Sequence, residues 1–232
     1  MKRNKSASSN HQIILAAAAA APLLMASFSG AAAFTYSGAS GGTWSTAGNW
    51  TGTGTPPPTT NDTAILDTTS TGRSVIYDSA ASGSLNTLTL NQTLGQVNLL
   101  DMQRSSFTIT NGVTLGATNS GTAELLIDPV ATSTTSVAAK VTTNFTLNSG
   151  GMLETSNYRL TSSNSTGLAQ STVAGDVTVN SGGILQVDRG VSQTGATGNA
   201  LASTFNNITM GSGGAISFSS HAFRSSGVVL IN

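Results

Sequence analysis

Residues 177–187 read "VTVNSGGILQV", with near copies at 145–155, "FTLNSGGMLET", and at 208–218, "ITMGSGGAISF". Within each copy the apolar period is two. Val177 and Val179 share one side with Thr178 opposite; after the glycines Leu185 and Val187 share a side with Gln186 opposite. That alternation predicts two strands. Ser-Gly-Gly falls where the chain changes direction, and glycine supplies the positive φ that a side chain resists. A β-hairpin is one reading of strand, Gly-Gly, strand. The spacing of the copies favours another. Val141, Val173 and Phe205 are spaced by 32 and 32 in the numbering, and Phe145, Val177 and Ile208 by 32 and 31. Leu147, Val179 and Met210 follow the same spacing, as do Leu153, Leu185 and Ile216. A fixed period of this size marks a repeat architecture, in which each unit buries its apolar side only by stacking on a neighbour. The predicted fold is all-β, a right-handed parallel β-helix (β-solenoid) whose equivalent positions stack about 4.8 Å apart.

Upstream the rhythm is shorter. Leu88-Thr-Leu90 and Phe107-Thr-Ile109 are spaced by 19, and "ELLIDPV" at 124–130 follows about one interval later. Coils of about 19 residues, lengthened by Ser-, Asn- and Gly-rich loops at 160–171 and 190–203, reproduce both spacings. The result is about seven coils and ~35 Å of solenoid.

Only 8% of residues are charged, against about 25% in an ordinary domain. Low charge with few aromatics would suit disorder, but the regular apolar alternation argues for a folded chain. Stacking explains the composition. Thr146, Thr178 and Thr209 form one outward row and Asn148 and Asn180 another; such rows hydrogen-bond along a stack, whereas repeated like charges would repel.

The segment 1–33 has the layout of a secretory signal. Lys2, Arg3 and Lys5 are a basic start, Ile13 to Met25 an apolar stretch, and Ala31-Ala32-Ala33 an A-x-A cleavage site, so the expected mature start is Phe34. The apolar part is about a dozen residues, short of the ~20 that span a bilayer, and no later segment reaches that length. A secreted or cell-surface location follows. Processing leaves six Lys and Arg against nine Asp and Glu, a net charge of −3 that attracts neither nucleic acid nor an anionic membrane. Without cysteine, stability rests on packing and backbone pairing. The expected organisation is a signal peptide at 1–33, a Trp- and Pro-containing capping segment at 34–83 and solenoid repeats at 84–232.

The capping segment contains "GGTWSTAGNWTGTGTPPPTTNDTAILD", with Trp44, Asn49-Trp50, Pro56 to Pro58 and Asp62-Thr-Ala64. Together with the Ser-Gly-Gly strands it resembles the autotransporter-associated β-strand repeat proteins. The resemblance implies a pectin-lyase-like β-helix passenger, secreted or held at the cell surface. It departs at the other end, where "SGVVLIN" shows neither a barrel nor a sorting tail. Either the chain is a fragment of a longer passenger, or it ends on an exposed edge available for self-association.

Chemistry is hard to find in the sequence. Glycoside hydrolysis needs two carboxyl groups at one site, yet none of the seven Asp and two Glu neighbours another acid. Glu154 aligns with Gln186 and Ser217, so its row is no carboxylate ladder, and it reads as solvent-exposed. Asp176, Asp188 and Arg189 suit a calcium-assisted lyase by type, but sit where turn-forming residues belong. His221 is the only histidine after the signal, and no Ser or Cys arrangement stands out as a nucleophile. No catalytic residue, metal site or cofactor is expected. Trp44 and Trp50 are the weak ligand-binding candidates, able to stack on sugar rings if exposed and covering the first coil if not. The expected function is a non-enzymatic spacer or adhesive passenger. The alternatives are a carbohydrate-binding module using Trp44 and Trp50 on extracellular glycans, or a polysaccharide-degrading β-helix with Glu154, Asp176 and Asp188 in one groove.

Overall fold

The computed structural model describes residues 31–68, 72–92, 97–103, 106–127, 137–155, 169–187, 202–218, 222–225 and 229–231. The strands begin β1 (Ala33–Tyr36), β2 (Gly42–Thr43), β3 (Trp50–Gly52), β4 (Thr63–Thr68), β5 (Arg73–Tyr77), β6 (Ser84–Leu85) and β7 (Thr87–Gln92). Next come β8 (Val97–Met102), β9 (Ser106–Ile109), β10 (Val113–Ile127), β11 (Val137–Thr142), β12 (Phe145–Thr155) and β13 (Ala169–Val173). The last are β14 (Val177–Val179), β15 (Ile184–Val187), β16 (Ala202–Phe205), β17 (Ile208–Met210), β18 (Ala215–Phe218), β19 (Ala222–Ser225) and β20 (Val229–Ile231). The helical content of the described residues is one 3-10 turn, Ala47–Asn49.

These strands wind into a right-handed parallel β-helix with three ladders. The first runs β1-β4-β7-β10-β12-β14-β17-β20, the second β2-β5-β8-β10-β12-β15-β18, and the third β6-β9-β11-β13-β16-β19. β10 and β12 are long because each turns the corner between the first two ladders without a break. Eight stacked strands make a rod about 34 Å long at the spacing of a parallel sheet.

The register puts like on like. Phe145, Val177 and Ile208 pair in sequence, as do Leu153, Leu185 and Ile216, and Val141, Val173 and Phe205. Three apolar columns result. Leu88, Val113, Phe145, Val177 and Ile208 line the first ladder, Leu100, Leu125, Leu153 and Leu185 the second, and Phe107, Val141, Val173 and Phe205 the third; all are buried. Each column shields apolar surface that a single coil would leave exposed on both sides. Thr146, Thr178 and Thr209 are in register on the outer side, and Asn180 Nδ2 donates to Asn148 Oδ1 at 2.9 Å.

The corner explains its own sequence. Gly150, Gly182 and Gly213 have φ of 75°, 73° and 79°, the left-handed region that costs other residues strain. The glycine after each is needed for a different reason. A Cβ on Gly151 would stand 2.0 Å from the Leu115 carbonyl oxygen, on Gly183 2.5 Å from that of Leu147, and on Gly214 2.7 Å from that of Val179. The backbone ladder continues through the turn, with Gly150 N–H donating to Gly182 and Gly182 N–H to Gly213.

The upstream rhythm and the loop bounds need correction. Leu88 and Phe107 are not equivalent: Leu88 pairs with Val113 on the first ladder, Phe107 with Val141 on the third. The upstream coil advances by 24 from Ala64 to Leu88 and by 25 from Leu88 to Val113, not by about 19. Strands on different faces share the same alternation, so one pair of similar strands cannot reveal which face each occupies. The loops expected at 160–171 and 190–203 end in β13 and β16, strands of the third ladder; their middles lie outside the described residues. Within 34–83, β1 and β4 pair in parallel, and β3, alone among the described strands, runs antiparallel, against the edge of β1.

Candidate functional site

The solenoid opens on a chain of aromatic side chains that runs from β1 to β9. Tyr36 meets Trp50 at 5.2 Å between centroids, Trp50 meets Trp44 at 4.4 Å, Trp44 meets Tyr77 at 4.7 Å, and Tyr77 meets Phe107 at 4.3 Å. Most of these contacts are edge-to-face, the arrangement favoured by the ring quadrupoles. Trp44 is 0% and Trp50 5% exposed. The Trp50 indole N–H donates to the Trp44 carbonyl at 2.8 Å. Trp44 and Trp50, the weak ligand-binding candidates of the sequence, are thus both buried, and neither offers an open ring face. They close the end of the hydrophobic column instead. Burial raises the Tyr36 pKa, with the nearby Arg73 charge pulling the other way.

Beside this aromatic plug lies a cleft of about 440 Å³, lined by Ala32, Thr53, Gly54, Thr55, Thr59, Thr60, Asn61 and Asp62. Asp62 organises it. Oδ2 accepts from the Thr59 N–H at 2.8 Å and its hydroxyl at 3.0 Å, and Oδ1 from the Ala32 N–H at 3.1 Å. Asn61 adopts φ 75°, a conformation that Asn tolerates better than most residues. A Cβ on Gly54 would lie 2.9 Å from the rim of the Phe34 ring, so the chain can cross that ring only as glycine. The lining is rich in hydroxyl and amide groups and carries one carboxylate, chemistry suited to hydrogen-bonding a neutral polyol. Sequence reasoning missed this cleft; its signal was the cluster of small and hydroxyl residues around the prolines, "TGTGTPPPTTND".

The acids fall elsewhere. Glu154 is 4% exposed, contrary to the solvent-exposed reading. It lies on an outer row with Asp101, Leu126 and Gln186, of which Asp101 and Leu126 are also buried. Alternation sets which side of a sheet a residue occupies, but not whether that side is covered. Asp176 opens β14 on the first ladder, on the other side of the Ser-Gly-Gly corner from Glu154. Its Oδ1 accepts from Asn206 at 2.7 Å and Asn207 at 2.8 Å, a structural bond to the next coil. Asp188, Arg189 and His221 lie outside the described residues. Among the described residues no group of three or more His, Cys, Asp or Glu is placed to hold a metal ion. Nor, among them, is any helix long and apolar enough to cross a membrane.

No protein-family model matches the chain, and neither the curated proteins nor the solved structures contain a match to it.

Proposed function

We propose that this chain is a non-enzymatic secreted or cell-surface protein whose solenoid serves as a rigid spacer or adhesive passenger. The observation that carries the reading is the in-register stacking of uncharged rows. Thr146, Thr178 and Thr209 on one face and Asn148 and Asn180 at the corner give a stiff rod a neutral surface of hydroxyls and amides. Such a surface contacts other molecules through many weak hydrogen bonds, without the charge that would select nucleic acid or anionic lipid. The resemblance to autotransporter-associated repeat proteins and the signal-like segment 1–33 support the location. In cells producing the full chain, protease added outside should remove it, and its deletion should reduce attachment to surfaces. Retention inside the cell, or release of sugar products from a polysaccharide by the purified protein, would contradict the proposal.

The second reading, carbohydrate binding, is favoured by the hydroxyl-lined cleft and no longer by the tryptophans. Its test is a glycan array with the wild type and a Thr53→Val/Thr55→Val variant shown to be folded. Binding lost in the variant supports this reading, and equal binding by both excludes the cleft.

A further inference from the structure

The fold distinguishes between bonds that the sequence alone leaves equivalent. An export peptidase of small-residue specificity accepts small side chains at the first and third positions before its cut. Ser27 with Ser29, Ser29 with Ala31, Gly30 with Ala32, and Ala31 with Ala33 all meet that requirement. The alternatives differ in what they leave of the first ladder.

Among the described residues, Ala32 is the first backbone step of the solenoid. Its carbonyl accepts the Thr63 N–H at 2.8 Å, and its own N–H lies 3.1 Å from Asp62 Oδ1. The next residues pair in register, Ala33 with Thr63 and Phe34 with Ala64. A bond of the same direction joins the next coil, where the Asn86 N–H donates to the Asp62 carbonyl. A cut after Ala33 would remove both Ala32 bonds and leave Asp62 Oδ1 without that donor. A cut after Ala32 would remove the same two bonds. A cut after Ser29 would put the new charge on the Gly30 nitrogen and leave the Ala32 N–H, the donor to Asp62, a neutral amide.

We infer that processing occurs between Ala31 and Ala32, and that the Ala32 ammonium it creates pairs with the Asp62 carboxylate. Water adds across the Ala31–Ala32 peptide bond, leaving a carboxylate on Ala31 and an ammonium on Ala32. The nitrogen that donated to Asp62 as a neutral amide then donates as a cation, which strengthens the bond. Ala31 is exposed, and the short stretch 26–31 separates Met25, at the end of the apolar run, from the cut. The bond after Ala33, expected from the Ala31-Ala32-Ala33 run, is thereby replaced by one two positions earlier. This inference rests on the secreted reading.

The test is N-terminal sequencing and intact mass of the processed protein from an exporting host given the full chain. Ala32 as first residue is the expected result; Phe34, or any other first residue, overturns the inference while leaving secretion intact. A product retaining residues 1–31 overturns both. The Ala33→Gln variant separates the sites further, because Ala33 is exposed and its substitution blocks only a cut at its own carbonyl. It should be processed at the same bond as the wild type, and failure to process it would count against the inference. In the processed protein Asp62→Asn should lower Tm by about 2–4 °C, with the gap narrowing in high salt. A gap that salt leaves unchanged would contradict the ion pair.

Discussion

At Gly183 a Cβ would stand 2.5 Å from the Leu147 carbonyl oxygen, whereas at Gly182 the obstacle is a φ of 73°. These are different penalties. A left-handed φ costs an L-residue about 1–2 kcal/mol, and asparagine less than alanine. A backbone clash requires two coils to move apart, at a cost of about 1–3 kcal/mol or more. Gly183→Ala should therefore lower the urea midpoint more than Gly182→Ala, and Gly182→Asn should be the mildest of the three. If Gly182→Ala proved worse than Gly183→Ala, close approach would not be what the second glycine provides. The corner is legible in the sequence because both glycines recur at a fixed offset from alternating apolar residues. The burial of Glu154 is not. Its position on the outer side of β12 is fixed by the period of two, but that period says nothing of whether the outer side is covered.

Individual elements are joined by side chains that cross from one coil to the next. Asp78, in the turn after β5, accepts from the Ser45 N–H just beyond β2 at 3.0 Å and from the Ala80 N–H at 2.9 Å. Burial acts to raise its pKa, but the N–H donors of Ser45 and Ala80 outweigh burial and hold it below the ordinary aspartate value. A carboxyl with a lowered folded value contributes its stability above the unfolded value and loses it as the pH falls through the folded one. Thermal melts taken from about pH 5 downward should show Tm falling further in the wild type than in Asp78→Asn. Parallel loss in both would mean that the two donors do not favour the charged form. At this scale the sequence is legible only in part. The rhythm from Phe145 onward matches the ladders, because three long copies of one motif fix all the faces at once. The upstream coils lack such copies, and there short strands of similar pattern on different faces resemble successive steps of one ladder.

Across the whole molecule, the sequence's scarcity of charge becomes a consequence of stacking. A row that repeats every coil brings identical side chains together, so Thr and Asn accumulate where Lys or Glu would repel. The rings of Tyr36, Trp44, Trp50 and Tyr77 close one end of the column, with β3 lying antiparallel on the edge of β1. Capping is foreseeable from the need to end any solenoid. The cleft beside it is not, since it depends on how the turn at 59–62 meets the strand exit at 53–55. The measurement that most directly tests the stacked solenoid uses the absence of native cysteine. Thr146→Cys/Thr178→Cys and Thr178→Cys/Thr209→Cys each join neighbouring steps of the first ladder, within the ~4.4–6.8 Å between Cα atoms that a disulfide can bridge. Thr146→Cys/Thr209→Cys spans two steps, about 10 Å, and lies beyond that reach. Under mild oxidation the first two variants should close intramolecularly and the third should stay reduced. Closure of Thr146→Cys/Glu154→Cys in their place would mean that 145–155 folds back on itself as a hairpin, and would contradict the solenoid.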